Sequence, residues 1–279
     1  MDGLTFTVLL LASSIAAGLL GSLTGLGGGV VLVPLLVLAF GVDLKYAVGA
    51  SLIAVIATSS GSAAAYIREG FTNTRIAMVL AIATTLGALA GAWIADSIPP
   101  RTIAVIFGLL LIWSAYNAFG APKPLPPDTR PDALGDRLKL HSTYPRGDGT
   151  QQEYAVHHVP GGFALMFIAG SLSALLGIGS GSVKVLAMDR LMRIPFKVST
   201  TTSNYMIGIT AAASAGVYLH RGQVDPTLAT PVALGALAGS FLGARILPKA
   251  KVSWLRAIFA TCIGLAGIEM IYKGVTGKL

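Results

Sequence analysis

Two five-residue runs, Gly25-Leu26-Gly27-Gly28-Gly29 and Gly177-Ile178-Gly179-Ser180-Gly181, interrupt otherwise apolar stretches of this chain. Each glycine inside a helix costs about 1 kcal/mol relative to alanine, so both runs predict broken helices. At membrane depth such backbone persists only where protein or a water-filled cavity satisfies its polar groups. The chemistry it offers is anion recognition, because peptide N–H groups are exposed where the next helix starts. Two structural roles compete: close helix packing of the GxxxG kind, and a tight turn outside the membrane. A nucleotide-phosphate loop is excluded, since no Gly-Lys-Ser/Thr follows either run.

A second patch follows each run: Ala47-Val48-Gly49-Ala50-Ser51 in one case, Ser199-Thr200-Thr201-Thr202-Ser203-Asn204 in the other. A helix N-cap would occupy Ser199 or Thr200. The remaining hydroxyls and the amide would serve either an oxyanion or hydrogen bonds between helices. Lys184 stands three positions after Gly181. An ionisable group at bilayer depth costs at least ~2.5–3.5 kcal/mol and marks a candidate functional site. Its alternative is to snorkel to the surface near Asp189 and Arg190. The expected substrate-binding set is therefore Gly27, Gly28, Gly29, Ser51, Gly179, Ser180, Gly181, Ser182, Lys184, Thr201, Thr202, Ser203 and Asn204.

The remaining reactive groups offer little. Cys262 is the single cysteine and sits in an apolar segment, where it reads as a small packing residue. His141, His157 and His158 lie in a polar stretch away from any acidic cluster. No metal site and no cofactor is expected, and the chain does not read as an enzyme.

The elements that would position these residues are duplicated. Residue i matches residue i+152 without a gap through most of the apolar length: Gly25, Gly27 and Gly29 fall on Gly177, Gly179 and Gly181. Lys45, Ser51, Thr58, Tyr66, Gly70, Gly87 and Gly91 fall on Lys197, Ser203, Thr210, Tyr218, Gly222, Gly239 and Gly243. One register over about a hundred residues means two copies of one structural unit. Glycine interruptions at matching places in both halves are the signature of a secondary transporter's binding site.

A mean hydropathy of +0.74 with 11% charged residues excludes an ordinary soluble fold. Ten apolar segments are expected, over residues 4–20, 30–40, 47–66, 76–95, 103–119, 163–176, 182–191, 199–219, 228–247 and 254–271. The longer ones reach the ~20 residues that span a bilayer. The second of each half, and the first of the second half, are too short, which suggests broken or re-entrant helices. Gly87-xxx-Gly91 and Gly235-xxx-Gly239-xxx-Gly243 read as helix-packing faces. The N-terminus lacks the basic stretch of a signal peptide and has a repeat partner, so it is expected to belong to the fold.

The fold class expected is an all-α polytopic membrane protein of two inverted-topology repeats, about five segments each. An odd number of segments per half inverts the second copy. Sorting loops by parity places fourteen of the twenty Lys and Arg on one side and five on the other, with Lys184 inside a segment. The positive-inside rule makes the richer side cytoplasmic, in a plasma or bacterial inner membrane, with both termini periplasmic or extracellular. The first repeat would cover residues 1–119 and the second 161–279. The stretch 120–160 carries seven of the fourteen prolines and reads as a cytoplasmic linker, a connector more than a regulatory or docking loop. The net charge of +8 is then a topology signal and calls for no nucleic acid. The partners implied are a small anion and the lipid bilayer, with a homodimer left open.

These motifs resemble the sulfite exporter TauE/SafE family, also called the 4-toluene sulfonate uptake permease family. Gly25-Leu26-Gly27-Gly28-Gly29, Pro34, Ala47 and Ser51 fit its duplicated GxGGG, Pro and Ala-x-x-x-Ser pattern. The second repeat is looser, with Ser180 for a glycine, Leu186 at the proline position and Ser199 at the alanine position. The resemblance covers both apolar halves and implies a carrier of sulfur-containing anions such as sulfite, thiosulfate or sulfonates. An uncoupled anion channel and, in a different class, a membrane enzyme or sulfur-transfer factor are the alternatives.

Overall fold

The computed structural model describes residues 3–24, 27–68, 70–119, 132–145, 150–179, 181–246 and 252–277. The first half runs α1 (Gly3–Thr24), α2 (Gly29–Pro34), α3 (Leu44–Arg68), α4 (Thr74–Ala95) and α5 (Pro100–Phe119). A short α6 (Ala133–Arg137) and a hairpin of β1 (Ser142–Pro145) and β2 (Gln151–Tyr154) follow. The second half runs α7 (Val159–Leu176), α8 (Gly181–Leu186), α9 (Phe196–His220), α10 (Pro226–Ile246) and α11 (Val252–Thr276).

The repeat offset survives at the level of single hydrogen bonds. Helices α2 and α8, and α3 and α9, begin and end 152 residues apart. Both α2 and α8 continue as a π-helical turn, Leu35–Ala39 and Ala187–Leu191. The turns close alike, with Phe40 N donating to Leu35 O (3.3 Å) and Met192 N to Ala187 O (2.9 Å). Proline does not cause this widening: Pro34 precedes the first turn, but Leu186 precedes the second. The residue just beyond is left-handed in both copies, Gly41 at φ 66° and Arg193 at φ 61°. Only glycine adopts that conformation without strain. The helical runs 29–39 and 181–191 rise about 16 Å, half of a ~30 Å hydrocarbon core, and cannot cross alone.

Among the described residues five helices are long and apolar enough to cross a membrane: α1, α3, α4, α7 and α10. The first segment of the second half, expected to be too short, gains its length because α7 starts at Val159. Their outer faces remain apolar, as Met78, Ile82, Leu86 and Trp93 show on α4, which suits a lipid surround. The halves interlock: α1 packs on α10, α4 on α7, α3 on α9 and α5 on α11. Glycine makes the first two contacts close. A Cβ at Gly239 would strike Ile15 O, and one at Gly87 would strike Phe167 O, positions again related by the repeat. The helix-packing role expected for these glycines is the one they have.

The linker is more than a connector where it is described. Leu140 and Val156 are fully buried, packed with Ile76, Met188, Met192 and Met206 over the end of α4, α8 and α9. Asp132 joins two helix starts, accepting from Leu134 N (3.0 Å) and Val159 N (2.7 Å). Those two backbone donors hold its carboxyl below the usual carboxylate range. His157 N donates to Met192 O (3.0 Å), fastening the strand exit to the second π turn.

Substituting Gly239 with leucine should abolish the close α1–α10 approach and sharply reduce folded, detergent-extractable protein. Gly216 faces open space. Gly216→Ala should therefore raise stability, by about 0.5–1 kcal/mol from helix propensity. Thermal unfolding of the purified variants measures both.

Candidate functional site

The two glycine breaks meet at the centre of the bundle. A Cβ built on Gly27 would lie 3.4 Å from Ile178 O, and one on Gly29 would run into Gly177 O and Ile178 Cα. Gly27, Gly177 and Gly179 have φ of 76°, 66° and 69°, which explains glycine there twice over. Ile207 of α9 touches both breaks, reaching the Cβ positions of Gly27 and Gly179. Val48, Ser51 and Val55 of α3 cover the second break from the other half.

Three of the carbonyls freed by the breaks take side-chain donors. Tyr66 OH donates to Ser22 O (2.9 Å), and Tyr218 OH, its repeat partner, donates to Ala174 O (3.0 Å). Ser51 Oγ donates to Gly177 O (2.7 Å), tying one repeat to the other at the break itself. Ser59 Oγ donates to Asn204 O (2.5 Å) and accepts from Gly208 N (3.0 Å), stitching α3 to α9 beside them.

Lys184 does not reach the surface. It is 0% exposed, and its Nζ donates to Thr210 Oγ1 (2.9 Å), which lies 3.0 Å from Thr84 Oγ1 on α4. Thr210 is one helical turn beyond Ile207, about 4.5 Å along α9. The snorkelling alternative is thereby replaced by a buried ammonium one turn from the contact between the breaks.

The model of the family described as sulfite exporter TauE/SafE matches residues 10–270. The chain belongs to that family. Similar proteins include the "Probable membrane transporter protein YunE" of Bacillus subtilis (strain 168), 29% identical over 96% of this chain and 98% of the relative. A "Probable membrane transporter protein" of Xylella fastidiosa (strain 9a5c) is 25% identical over 92% of this chain and 90% of its own. "Probable membrane transporter protein MJ0441" of Methanocaldococcus jannaschii is 25% identical over 94% of each. No solved structure matches the chain significantly. With its apolar helices, membership of the TauE/SafE family makes this a multi-pass membrane protein.

Not every residue expected from sequence gathers at the breaks. Gly27, Gly28, Gly29, Ser51, Gly179 and Gly181 do, and Ser203 Oγ lies 3.5 Å from Gly181 O. Asn204 is buried, and its Nδ2 has no hydrogen-bond partner among the described residues. Thr201 and Thr202 serve the loop between α3 and α4 instead. Thr201 Oγ1 donates to Phe71 O (3.0 Å), and Thr202 Oγ1 accepts from Asn73 N (3.1 Å). Gly25, Leu26 and Ser180, and the side chains of Ser182 and Cys262, lie outside the described residues.

Sequence reasoning missed two features. Thr84 carries a legible signal, since its repeat partner is Ala236. The other is a charged cluster at the far end of α4. Asp96 pairs with Arg221 (3.1 Å) and Lys45 (3.7 Å) and accepts from Gln223 Nε2 (3.1 Å). Arg221 also donates to Ala92 O (2.6 Å), one of the carbonyls left open at the end of α4. A narrow crevice runs from Asp96 past Tyr218 to Val48, which packs on Gly177.

Ser51→Ala leaves Gly177 O without its donor and should cost about 1–3 kcal/mol of stability. Ser60→Ala, at an exposed site, should stay within about 0.5 kcal/mol. Chemical denaturation in detergent separates them. The Gln223 hydrogen bond, with the smaller help of the Arg221 and Lys45 charges, holds the Asp96 carboxyl below its ordinary value against the desolvation that raises it. A depressed folded pKa gives stability that is complete above the unfolded value of about 4 and fades as pH falls through the folded one. Acid should thus loosen this end, and the pH slope of unfolding below about 4 should shrink in Asp96→Asn.

Proposed function

We propose that this chain is a secondary transporter that exports a small sulfur-containing oxyanion, such as sulfite or an organosulfonate, by alternating access. The observation that carries the reading is the meeting of two matched glycine breaks at the centre of the bundle, with a buried ammonium one turn away. The names of the similar proteins favour membrane transport, and the family description favours sulfite. The anion would lie between the breaks, near Gly27, Gly28, Gly29, Gly179 and Gly181, with Lys184, Ser203 and the amide of Asn204 as donors. Thr201 and Thr202 drop to supporting roles, because both already hold the loop that follows α3.

Orientation follows from charge. The odd segment count makes the repeats inverted, and the fourteen-to-five imbalance puts the linker and hairpin in the cytoplasm. The Asp96 cluster then closes the outer end, while the 71–73 loop and the hairpin close the inner one. A reporter fused after Leu279 should read as periplasmic, and one inserted between Pro145 and Thr150 as cytoplasmic. The opposite pattern removes the orientation read from charge, and both reporters on one side remove the inverted assignment.

Energetics favours export. With the cytoplasm negative, one anionic charge moving outward releases about 2.3 kcal/mol per 100 mV, which supports a gradient of roughly fifty-fold. Such export needs no coupling ion. Purified protein should bind at least one of sulfite, thiosulfate, sulfoacetate and taurine saturably. Gly28→Leu should abolish transport in a protein that still inserts, because only an alanine-sized group fits beside Thr58 and Ala17. A screen in which no oxyanion binds would sink the proposal.

A further inference from the structure

Lys184 is the only Asp, Glu, Lys or Arg that is buried among the described residues. None of the ion pairs among those residues includes it. Its single partner there is the neutral Thr210 hydroxyl, which also lies 2.9 Å from Met206 O. An ammonium has three donors, so two of its N–H bonds are left without a described partner. A buried charge in that situation is costly unless something of opposite sign approaches it.

The repeat sharpens the point. At the place of Lys184 the first half has Leu32, and at the place of Thr84 the second half has Ala236. Two independent departures from the repeat, in helices α8 and α4, therefore meet through Thr210. On the other side of the bundle the same three positions are Leu32, Thr58 and Ala236, with no cation to hold. The polar group is built for one side only.

We infer that the Lys184 ammonium, held by Thr210 and Thr84, is the sole compensating charge of the transport site, so that the site accepts monovalent oxyanions and discriminates against divalent ones. This rests on the transport reading above and deepens it. A monoanion beside Lys184 makes a neutral pair. A dianion leaves one negative charge uncompensated in a low-dielectric interior, where such charges are strongly disfavoured. The same arithmetic fixes which step carries charge. The loaded site is neutral and crosses without regard to the potential, whereas the empty site carries one positive charge back. A negative cytoplasm pulls that empty site inward, as repeated export requires.

The test uses full-length protein in proteoliposomes, with methanesulfonate as a monovalent probe and sulfate as a divalent one. Methanesulfonate should be carried at least tenfold faster than sulfate. Its equilibrium exchange should change less than twofold over an imposed ~100 mV, while its net efflux changes severalfold. Lys184→Met should lose the preference between the probes, Lys184→Arg should keep it, and Thr84→Val should weaken it with rescue by Thr84→Ser. Equal transport of both probes, or exchange as sensitive to potential as net flux, overturns the inference and leaves the transport reading standing. Wild-type protein that moves neither probe nor any other oxyanion overturns both.

Discussion

Everything in this structure is arranged around backbone that cannot hydrogen-bond to itself. A helix that stops inside a membrane strands carbonyls at its end and N–H groups at the start of the next, with no water in the hydrocarbon to receive them. The chain meets this twice with the same device. A tyrosine late in α3 or α9 reaches back to the last turn of α1 or α7, as Tyr66 to Ser22 O and Tyr218 to Ala174 O. That fixes where α3 and α9 cross the breaks, and hence where Ser51, Val55 and Ile207 stand. Because Ser51 takes the Gly177 carbonyl from the opposite half, the second break is not complete without the first repeat. The interlocked pairing of α1 with α10 and α4 with α7 follows from that dependence, and glycine is required wherever backbones then approach.

The repeat supplies the scaffold, and its departures supply the chemistry. Most of what the halves share is backbone device: glycines, the paired tyrosines and the π turns, with Ser51 and Ser203, and Thr58 and Thr210, the shared hydroxyls. Where they differ, the second half gains polar groups at three positions: Lys184 for Leu32, Thr201 for Gly49, Asn204 for Leu52. The Gly49 and Thr201 pair shows how one position takes two roles. Gly49 lets the Gln223 carbonyl come against α3, while Thr201 donates a hydrogen bond to the matching Phe71 carbonyl. A loop is secured at each end of the bundle, once by close approach and once by a hydroxyl.

The scaffold was legible in the sequence to a degree the chemistry was not. A gap-free offset of 152 placed the breaks, the short helices after them and the glycine packing faces, because all three rest on local backbone preference repeated twice. Lys184 stood out as a charge among apolar residues, but its burial depended on Thr84 and Thr210, which only the packing of α4 on α9 brings to it. A run of hydroxyls makes Thr201 and Thr202 read as ligand donors, but Thr201 faces carbonyls of its own helix, and both meet a loop some 130 residues earlier. The linker misled most. Its prolines and charges masked Leu140 and Val156, two apolar residues sufficient to seat a hairpin on the bundle.

The two ends are closed by unlike chemistry. At Asp96 the contacts are ionic and partly exposed, so salt screens them and each holds weakly. At the other end Asn73 makes a buried, neutral junction: its N–H meets Thr202, its Oδ1 caps α4 at Ile76 N, and its Nδ2 donates to Leu140 O and Tyr154 OH. Loop, polar helix start and hairpin are therefore one mechanical unit, and α9 cannot swing at that end without moving the hairpin. In a carrier that opens its ends in turn, the ionic end would open against small, separable contacts and the capped end against a cooperative one. The capped end would then set the slower step, and the linker sequence, which the repeat itself does not contain, would set its rate.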